Sequence, residues 1–258
     1  MAHSIYEFPE IFRRVHMEEP AEILREVDFL KRVWRRHLKR PVRRVLDIAC
    51  GDSPHGQILL RAGIEVAGVD RSPTMIAKGR AESSRAIPIY RRPIERFRIP
   101  ERPFDAAFFM SETFPIMVTN SELLSHLRSV GRLLRCGGIY CVDIDRHDGI
   151  DLVHRRRLWR ERSVRVGGIG VEVREYHRRI GWDSALHSIY ELECRIHFPN
   201  RIVTTRDIIP VRYTVPATLE LTARASGCFE PVASYADLSF TKPIGRCYGR
   251  WWGVLRRL

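Results

Sequence analysis

Five short apolar runs, Val42 to Ala49, Ile64 to Val69, Ile87 to Tyr90, Phe104 to Met110 and Ile139 to Ile144, recur along the first part of the chain with helical stretches between them. A run that is apolar at nearly every position suits a strand buried on both faces. Strands joined through helices require crossover connections, so the pattern predicts a parallel, doubly wound sheet with right-handed crossovers. The intervening segments fit. Residues 21–38 place Ile23, Leu24, Val27, Leu30, Val33, Trp34 and Leu38 on one helical stripe, which Pro41 stops. Gln57 to Ala62 reads as the next helix. Ser72-Pro73 opens another, with serine as N-cap, and Glu122 to Leu134 is expected to be a helix closed by Gly137-Gly138.

Beyond about residue 160 the texture changes. Val164 to Tyr176, Leu186 to Phe198 and Ile202 to Tyr213 alternate apolar with polar residues, the pattern of half-exposed antiparallel strands, with a turn at Pro199-Asn200. A helix from Pro216 to Ala225, ending at Gly227, and two strands, Phe229 to Tyr235 and about Tyr248 to Leu255, complete the chain. The expected fold class is α/β, a mostly parallel sheet with an antiparallel insertion.

A chain of 258 residues with 44% hydrophobic residues can bury one substantial core, with a small subdomain besides. No apolar run reaches the roughly 18 residues a membrane span needs, and Met1 to Glu10 lacks the basic and then apolar regions of a signal peptide, so a globular cytoplasmic protein is expected. Cys50, Cys136, Cys141, Cys194, Cys228 and Cys247 form no C-x-x-C pair and read as small buried hydrophobes, with no metal site implied. The formal charge of +13 raises nucleic acid as a partner. However, only four of the 44 basic residues are lysine, and the arginine pairs are scattered apart from the run Arg155 to Arg157, which reads as a solvated face.

In an open parallel sheet, ligands bind beyond the carboxyl ends of the strands where strand order reverses, so the loop after the first strand matters most. It reads Asp47-Ile48-Ala49-Cys50-Gly51-Asp52-Ser53-Pro54-His55-Gly56, and Asp70 ends the second strand 19 residues after Gly51. Gly51 allows a tight turn and close backbone approach, while a carboxylate at Asp70 can accept both hydroxyls of an adenosine ribose.

The stretches VLDIACG, GIEVAGVD, FDAAFFM and LLRCGGIYCVDID resemble the successive motifs of class I S-adenosylmethionine-dependent methyltransferases. ACGDSPH resembles the loop A-C-G-T-G-x-H of the small-molecule group that includes N-methyltransferases of amino sugars and glycine. The likeness covers residues 43–144 and reappears in RYTVPATLELTARASGCFEPV. It implies a seven-stranded Rossmann-like sheet with a reversed last strand. It also implies a single methyltransferase domain over 1–258, divided into an N-terminal helical segment or lid (1–40), a cofactor-binding core (41–150), an antiparallel insertion (151–214) and the final helix and strands (215–258).

By the same resemblance, Ala49, Gly51 and Ser53 border the cofactor's methionine part, Asp70 and Arg71 its ribose, the backbone of Ile94 its adenine, and Met110 the floor beneath the sulfonium. Asp47 braces the loop or reaches the cofactor's amino group. Glu112 and Tyr213 are the candidate catalytic residues, and Phe114 and Arg212 the candidate acceptor contacts. His55, at a helix start, is a structural or a functional residue on equal grounds. Tyr6, Phe8 and Phe12 are expected either to pack or to form a lid, and His177, His187 and His197 to be ordinary sheet residues.

Two positions depart from the family pattern. Ser53 stands where the family has a second glycine, and Pro93-Ile94 where it often has an adenine-binding Asp. The expected activity is methyl transfer to nitrogen or oxygen of a small molecule, by a monomer or homodimer. An RNA methyltransferase or RNA-binding relative is the alternative, and a non-catalytic relative the third reading. The spacing Gly51, Ser53, Gly56 also admits dinucleotide binding, but serine replaces the glycine that lets backbone reach a pyrophosphate.

Overall fold

The structure is a computed structural model that describes residues 3–16, 20–82, 87–101, 103–111, 113–144, 156–179, 187–242 and 250–258. Contacts divide the chain into two compact units, where the sequence suggests one domain. One comprises 19–148 and 214–258, the other 1–18 and 149–213, so residues 1–18 group with the insertion and the rest of the N-terminal segment with the core.

The larger unit holds a seven-stranded sheet. Its first five strands are β1 (Arg44–Ile48), β2 (Glu65–Asp70), β3 (Ile89–Arg91), β4 (Phe104–Phe109) and β5 (Leu134–Ile144). After the insertion come β10 (Phe229–Ala236) and β11 (Trp251–Arg257), and the order across the sheet is β10-β11-β5-β4-β1-β2-β3. Only β11 runs against its neighbours, which is the reversed last strand expected. Strand order reverses between β1 and β4, so the carboxyl ends of these two strands define the ligand edge.

Alternate residues feed two cores, one on each face. Leu46, Ile48, Ala107 and Phe109 pack on one side, and Val45, Ala106, Phe108 and Cys141 on the other. The helices are α2 (Pro20–His37), α3 (Pro54–Arg61), α4 (Pro73–Glu82), α5 (Asn120–Leu133) and α6 (Pro216–Ala225). Helix α5 starts with a full capping box between Thr119 and Glu122. At the opposite, amino edge, Asp105 accepts from the backbone N–H groups of Arg43 and Arg44 and pairs with Arg40 and Arg135. Its burial is thereby compensated away from the ligand edge.

Two expectations need correction here. Gly137-Gly138 does not close α5, which ends at Leu133 directly before β5. Instead, Gly137, at φ 74°, lies in a bulge that shifts the β4–β5 register between Phe104↔Leu134 and Ala106↔Ile139. Cys136 sits in this bulge and is exposed, unlike Cys50, Cys141 and Cys194, while Cys228 is partly buried. Cys247 lies outside the described residues.

In the smaller unit, β6 (Arg157–Val166), β7 (Ile169–Arg179), β8 (His187–Phe198) and β9 (Arg201–Arg212) form an antiparallel meander. The run from Val164 to Tyr176 is therefore two strands rather than one, because Gly167, at φ 57°, turns the chain and the alternation resumes beyond it. Helix α1 (Pro9–His16) and the 3-10 turn Ile5–Glu7 lay Ile5, Ile11 and Val15 against Val171, Val173, Leu192, Cys194 and Ile196. Tyr6, Phe8 and Phe12 pack against that core. Of the Arg155–Arg157 run, Arg155 is outside the described residues. Arg156 is not merely solvated: it forks onto Glu191 at 2.9 and 3.1 Å and lies over the Tyr176 ring. Hydrogen bonds from Arg156 and Arg206 hold the Glu191 carboxyl down at about 2.

No helix among the described residues is long and apolar enough to cross a membrane.

Candidate functional site

The first strand's exit loop adopts a backbone that few sequences tolerate. Ala49, Gly51 and Ser53 all have left-handed φ, at 53°, 54° and 55°. For residues with a Cβ this costs about 1–2 kcal/mol each, so the loop must be held from outside. It is held at nearly every residue. Cys50 N–H donates to Val69 O at 3.1 Å, Gly51 N–H donates to Asp70 Oδ2 at 2.7 Å, and Ser53 Oγ donates to Asp47 Oδ2 at 2.7 Å.

Ser53 therefore does more than narrow the loop. Its hydroxyl pays for part of the left-handed strain by satisfying an otherwise isolated carboxylate. Asp47 is 2% exposed, and burial pushes its carboxyl up to about 7, against the opposing pull of His55 and the Ser53 hydroxyl. The folded protein thus binds a proton at Asp47 that the unfolded chain, titrating near the ordinary aspartate value, has already released. Stability falls as pH rises from about 4 to 7, by at most about 1.4 kcal/mol per pH unit. Asp47→Asn keeps an acceptor for Ser53 and removes this slope. Its melting temperature is expected to gain on that of the wild type from pH 5 to about pH 7 and to keep a constant lead above it.

The second face of the loop rests on a helix. A Cβ at Gly79 of α4 would lie 2.9 Å from both the Cα and the carbonyl oxygen of Asp52, so only glycine permits the observed approach. Gly79→Ala gains about 1 kcal/mol of helix propensity and loses about 1–3 kcal/mol to overpacking against backbone. The expected outcome is a net loss of stability in denaturant titration together with a displaced loop, where a surface helix site would show a gain.

Asp70 ends β2 with both oxygens committed, Oδ2 to Gly51 and Oδ1 to the N–H of Ser72 at 2.7 Å. Burial raises its carboxyl, while the N–H groups of Ser72, Gly51 and Arg71 pull the other way. A carboxylate has about four lone-pair directions, so acceptor capacity is left for two ribose hydroxyls. Arg71 follows at the exposed end of the strand.

Around the β4 exit, Met110 is 4% exposed, within the core of one face. Ile94 is 3% exposed, and its carbonyl accepts from His126 Nδ1 at 2.7 Å, while Tyr140 O–H lies 2.6 Å from His126 Nε2. Burial brings the His126 imidazole down to about 4, so it is neutral, donating to Ile94 and accepting from Tyr140. Phe114 is 1% exposed and packs edge-on to Phe109 and His126. Glu112 lies outside the described residues. Arg212 ends β9 and Tyr213 follows it, both in the smaller unit.

The structure thus brings Asp47, Ala49, Gly51, Ser53 and Asp70 into one hydrogen-bonded loop. Three residues at the same edge escaped the sequence reading: Glu26, Asp143 and Arg250. Glu26 Oε2 lies 2.5 Å from His55 Nε2, Glu26 Oε1 lies 2.6 Å from Arg250 Nη2, and Arg250 grips Asp143 through both Nε and Nη2. One signal was available. Glu26 falls on the apolar stripe of α2, between Ile23 and Leu30, where a charge needs a buried partner.

Residues 45–138 match a family model described as a methyltransferase domain. A curated Bacillus subtilis (strain 168) protein, "Putative methyltransferase YqeM", is 28% identical over 103 residues, which is 39% of this chain and 42% of that protein. The matched stretch therefore spans less than half of that relative.

Among solved structures, an S-adenosylmethionine-dependent methyltransferase from Clostridium acetobutylicum ATCC 824 has a TM-score of 0.79 at 13% identity, covering 97% of each chain. The sugar N-methyltransferase KedS8 from Streptoalloteichus sp ATCC 53650 has a TM-score of 0.74 at 24% identity, covering 95% of this chain and 91% of its own. The S-adenosylmethionine-bound amino pentose methyltransferase CalS10 from Micromonospora echinaspora has a TM-score of 0.73 at 17% identity, covering 100% and 98%. At these identities the likeness is one of fold.

Proposed function

We propose that the chain, whose residues 45–138 match a methyltransferase domain and whose fold is that of S-adenosylmethionine-dependent methyltransferases, transfers the cofactor's methyl group to a nitrogen or oxygen of a small-molecule acceptor. The observation that carries this reading is the ligand edge itself. There the left-handed loop at Ala49, Gly51 and Ser53 is held by Asp47 and Asp70, and the Asp70 carboxylate keeps acceptor capacity for a ribose beside the Gly51 backbone. When bound, S-adenosylmethionine supplies an electrophilic methyl on a positively charged sulfur.

The residues fit that group. Asp70 takes the ribose hydroxyls, Gly51 and its neighbours lie along the methionine part, and the Ile94 backbone, fixed by His126, meets the adenine. The chain's contribution to the reaction is to hold the acceptor nucleophile in line and keep water out, so no acid–base triad is required. A phosphate-rich ligand fits less well. A pyrophosphate or RNA backbone at this edge would meet the Asp70 carboxylate, and several arginines of the smaller unit are paired to Glu161, Glu172, Glu175 and Glu191.

Incubation of the protein with methyl-labelled S-adenosylmethionine and, separately, panels of small amines and alcohols or total RNA tests the reading. Label in a small acceptor is expected, at a rate insensitive to salt. Label confined to RNA, falling steeply with ionic strength, would favour the other substrate class.

A further inference from the structure

Resting on the cofactor reading above, we propose that His55 is a positioning residue for the cofactor loop, held by Glu26, which Arg250 ties to Asp143. His55 lies in the first turn of α3, two residues after Ser53. The left-handed positions at Ala49, Gly51 and Ser53 persist only if their surroundings over-determine them. Asp47 fixes the loop through Ser53 and Asp70 fixes it through Gly51, while at the junction with α3 Gln57 Nε2 donates to Asp52 O at 3.1 Å, a contact that ties α3 to the loop but not to α2. His55 supplies the tie to α2.

Its Nε2 is 2.5 Å from Glu26 Oε2, with His55 4% and Glu26 1% exposed, so water does not compete for either atom. Glu26 in turn is fixed from its other oxygen by Arg250, and Arg250 by Asp143 near the carboxyl end of β5. Four elements are thus joined at the ligand edge: α2, α3, β5 and the residue leading into β11.

Packing alone would not call for this arrangement, because well-packed apolar residues are often as stable as a buried ion pair. A directed contact adds a fixed ring position. The charged surroundings act on both groups: from α2, Glu22 opposes and Arg25 favours the charged form of Glu26, Asp47 and Asp52 favour the charged form of His55 from the loop side, and the Phe108 ring of β4 lies 6.4 Å from the imidazole. Burial raises the Glu26 carboxyl and lowers the His55 imidazole, so neither group gains by standing alone as an ion.

The test compares wild type, His55→Leu and His55→Gln, whose amide nitrogen can take the place of Nε2. Two quantities are measured: the dissociation constant for S-adenosylmethionine well below each melting temperature, and amide hydrogen exchange at Gly51 and Ser53 without ligand. Leucine is expected to weaken binding by roughly tenfold or more, and glutamine to restore it to within about threefold. Loop amides should exchange faster in the leucine variant and not in the glutamine one. Adding Glu26→Leu to His55→Leu should cost little further affinity, since the two act as one unit.

Should the leucine variant fail to fold, His55→Asn, too short to reach Glu26, carries the same expectation. A folded leucine or asparagine variant with wild-type affinity and wild-type loop exchange overturns the positioning role, as does failure of glutamine to rescue. Should the wild type bind no cofactor, the methyltransferase reading falls. The exchange comparison alone then decides whether His55 positions the loop.

Discussion

Asp70→Ala is expected to weaken S-adenosylmethionine binding by at least about 100-fold, equivalent to about 2.7 kcal/mol. The side chain serves two purposes at once. It offers the ribose a carboxylate, and its oxygens already hold the N–H groups of Gly51 and Ser72 at 2.7 Å. Hydrogen bonds to a charged group are worth about 1.5–3 kcal/mol each, so alanine removes both the ligand contact and the anchor of the loop that makes the other contacts. Asp70→Asn should recover little, because its amide group turns a donor toward one of two backbone donors. Titration calorimetry with each folded variant gives the comparison. An Asn variant close to wild type would mean that the two backbone contacts matter less than their geometry indicates.

Arg250→Ala is expected to cost about 3–5 kcal/mol of folding stability, among the largest effects of any single substitution here. The guanidinium lies between Glu26 and Asp143, which are 1% and 0% exposed, and its removal leaves two buried carboxylates without their cation. The loss should depend on pH in a defined direction. Burial already raises the Glu26 carboxyl in the wild type, and loss of the cation favours the protonated forms of Glu26 and Asp143 further in the folded variant. The folded form then binds the extra protons, and stability declines as pH rises through the folded-state carboxyl pKa values. Denaturant titration at pH 5.5 and pH 8.5 should therefore show the larger deficit at pH 8.5. Combining Arg250→Ala with Asp143→Asn should cost less than the sum of the two, since the second change removes one of the stranded charges.

The parallel core was legible because double-sided burial leaves its mark on every residue of a strand. Val45 to Ile48, Val66 to Val69 and Phe104 to Phe109 are apolar apart from Asp47, Gly68 and Asp105. The loop was legible for a similar reason, since Gly51 and Asp70 are constrained by local geometry at a fixed spacing. Where local signals had two meanings, the structure decided. Gly137-Gly138 looks like a helix stop and proves to be a strand bulge, because tertiary pairing of Leu134 with Phe104 starts the strand earlier. Gly167 hides a turn inside an unbroken alternation, because both strands of the hairpin keep the same period.

Glu26, Arg250 and Asp143 come from distant parts of the chain and meet only in the fold. Pairwise charge contacts of that kind leave little trace in a single sequence.

Calorimetric titration of the wild-type protein with S-adenosylmethionine and S-adenosylhomocysteine, beside NAD as control, is the most direct test of the cofactor assignment. Saturable binding of both sulfur compounds and none of NAD is expected from an edge that combines buried carboxylates with the left-handed loop. Folded protein that binds NAD instead, or binds none of the three, would contradict it.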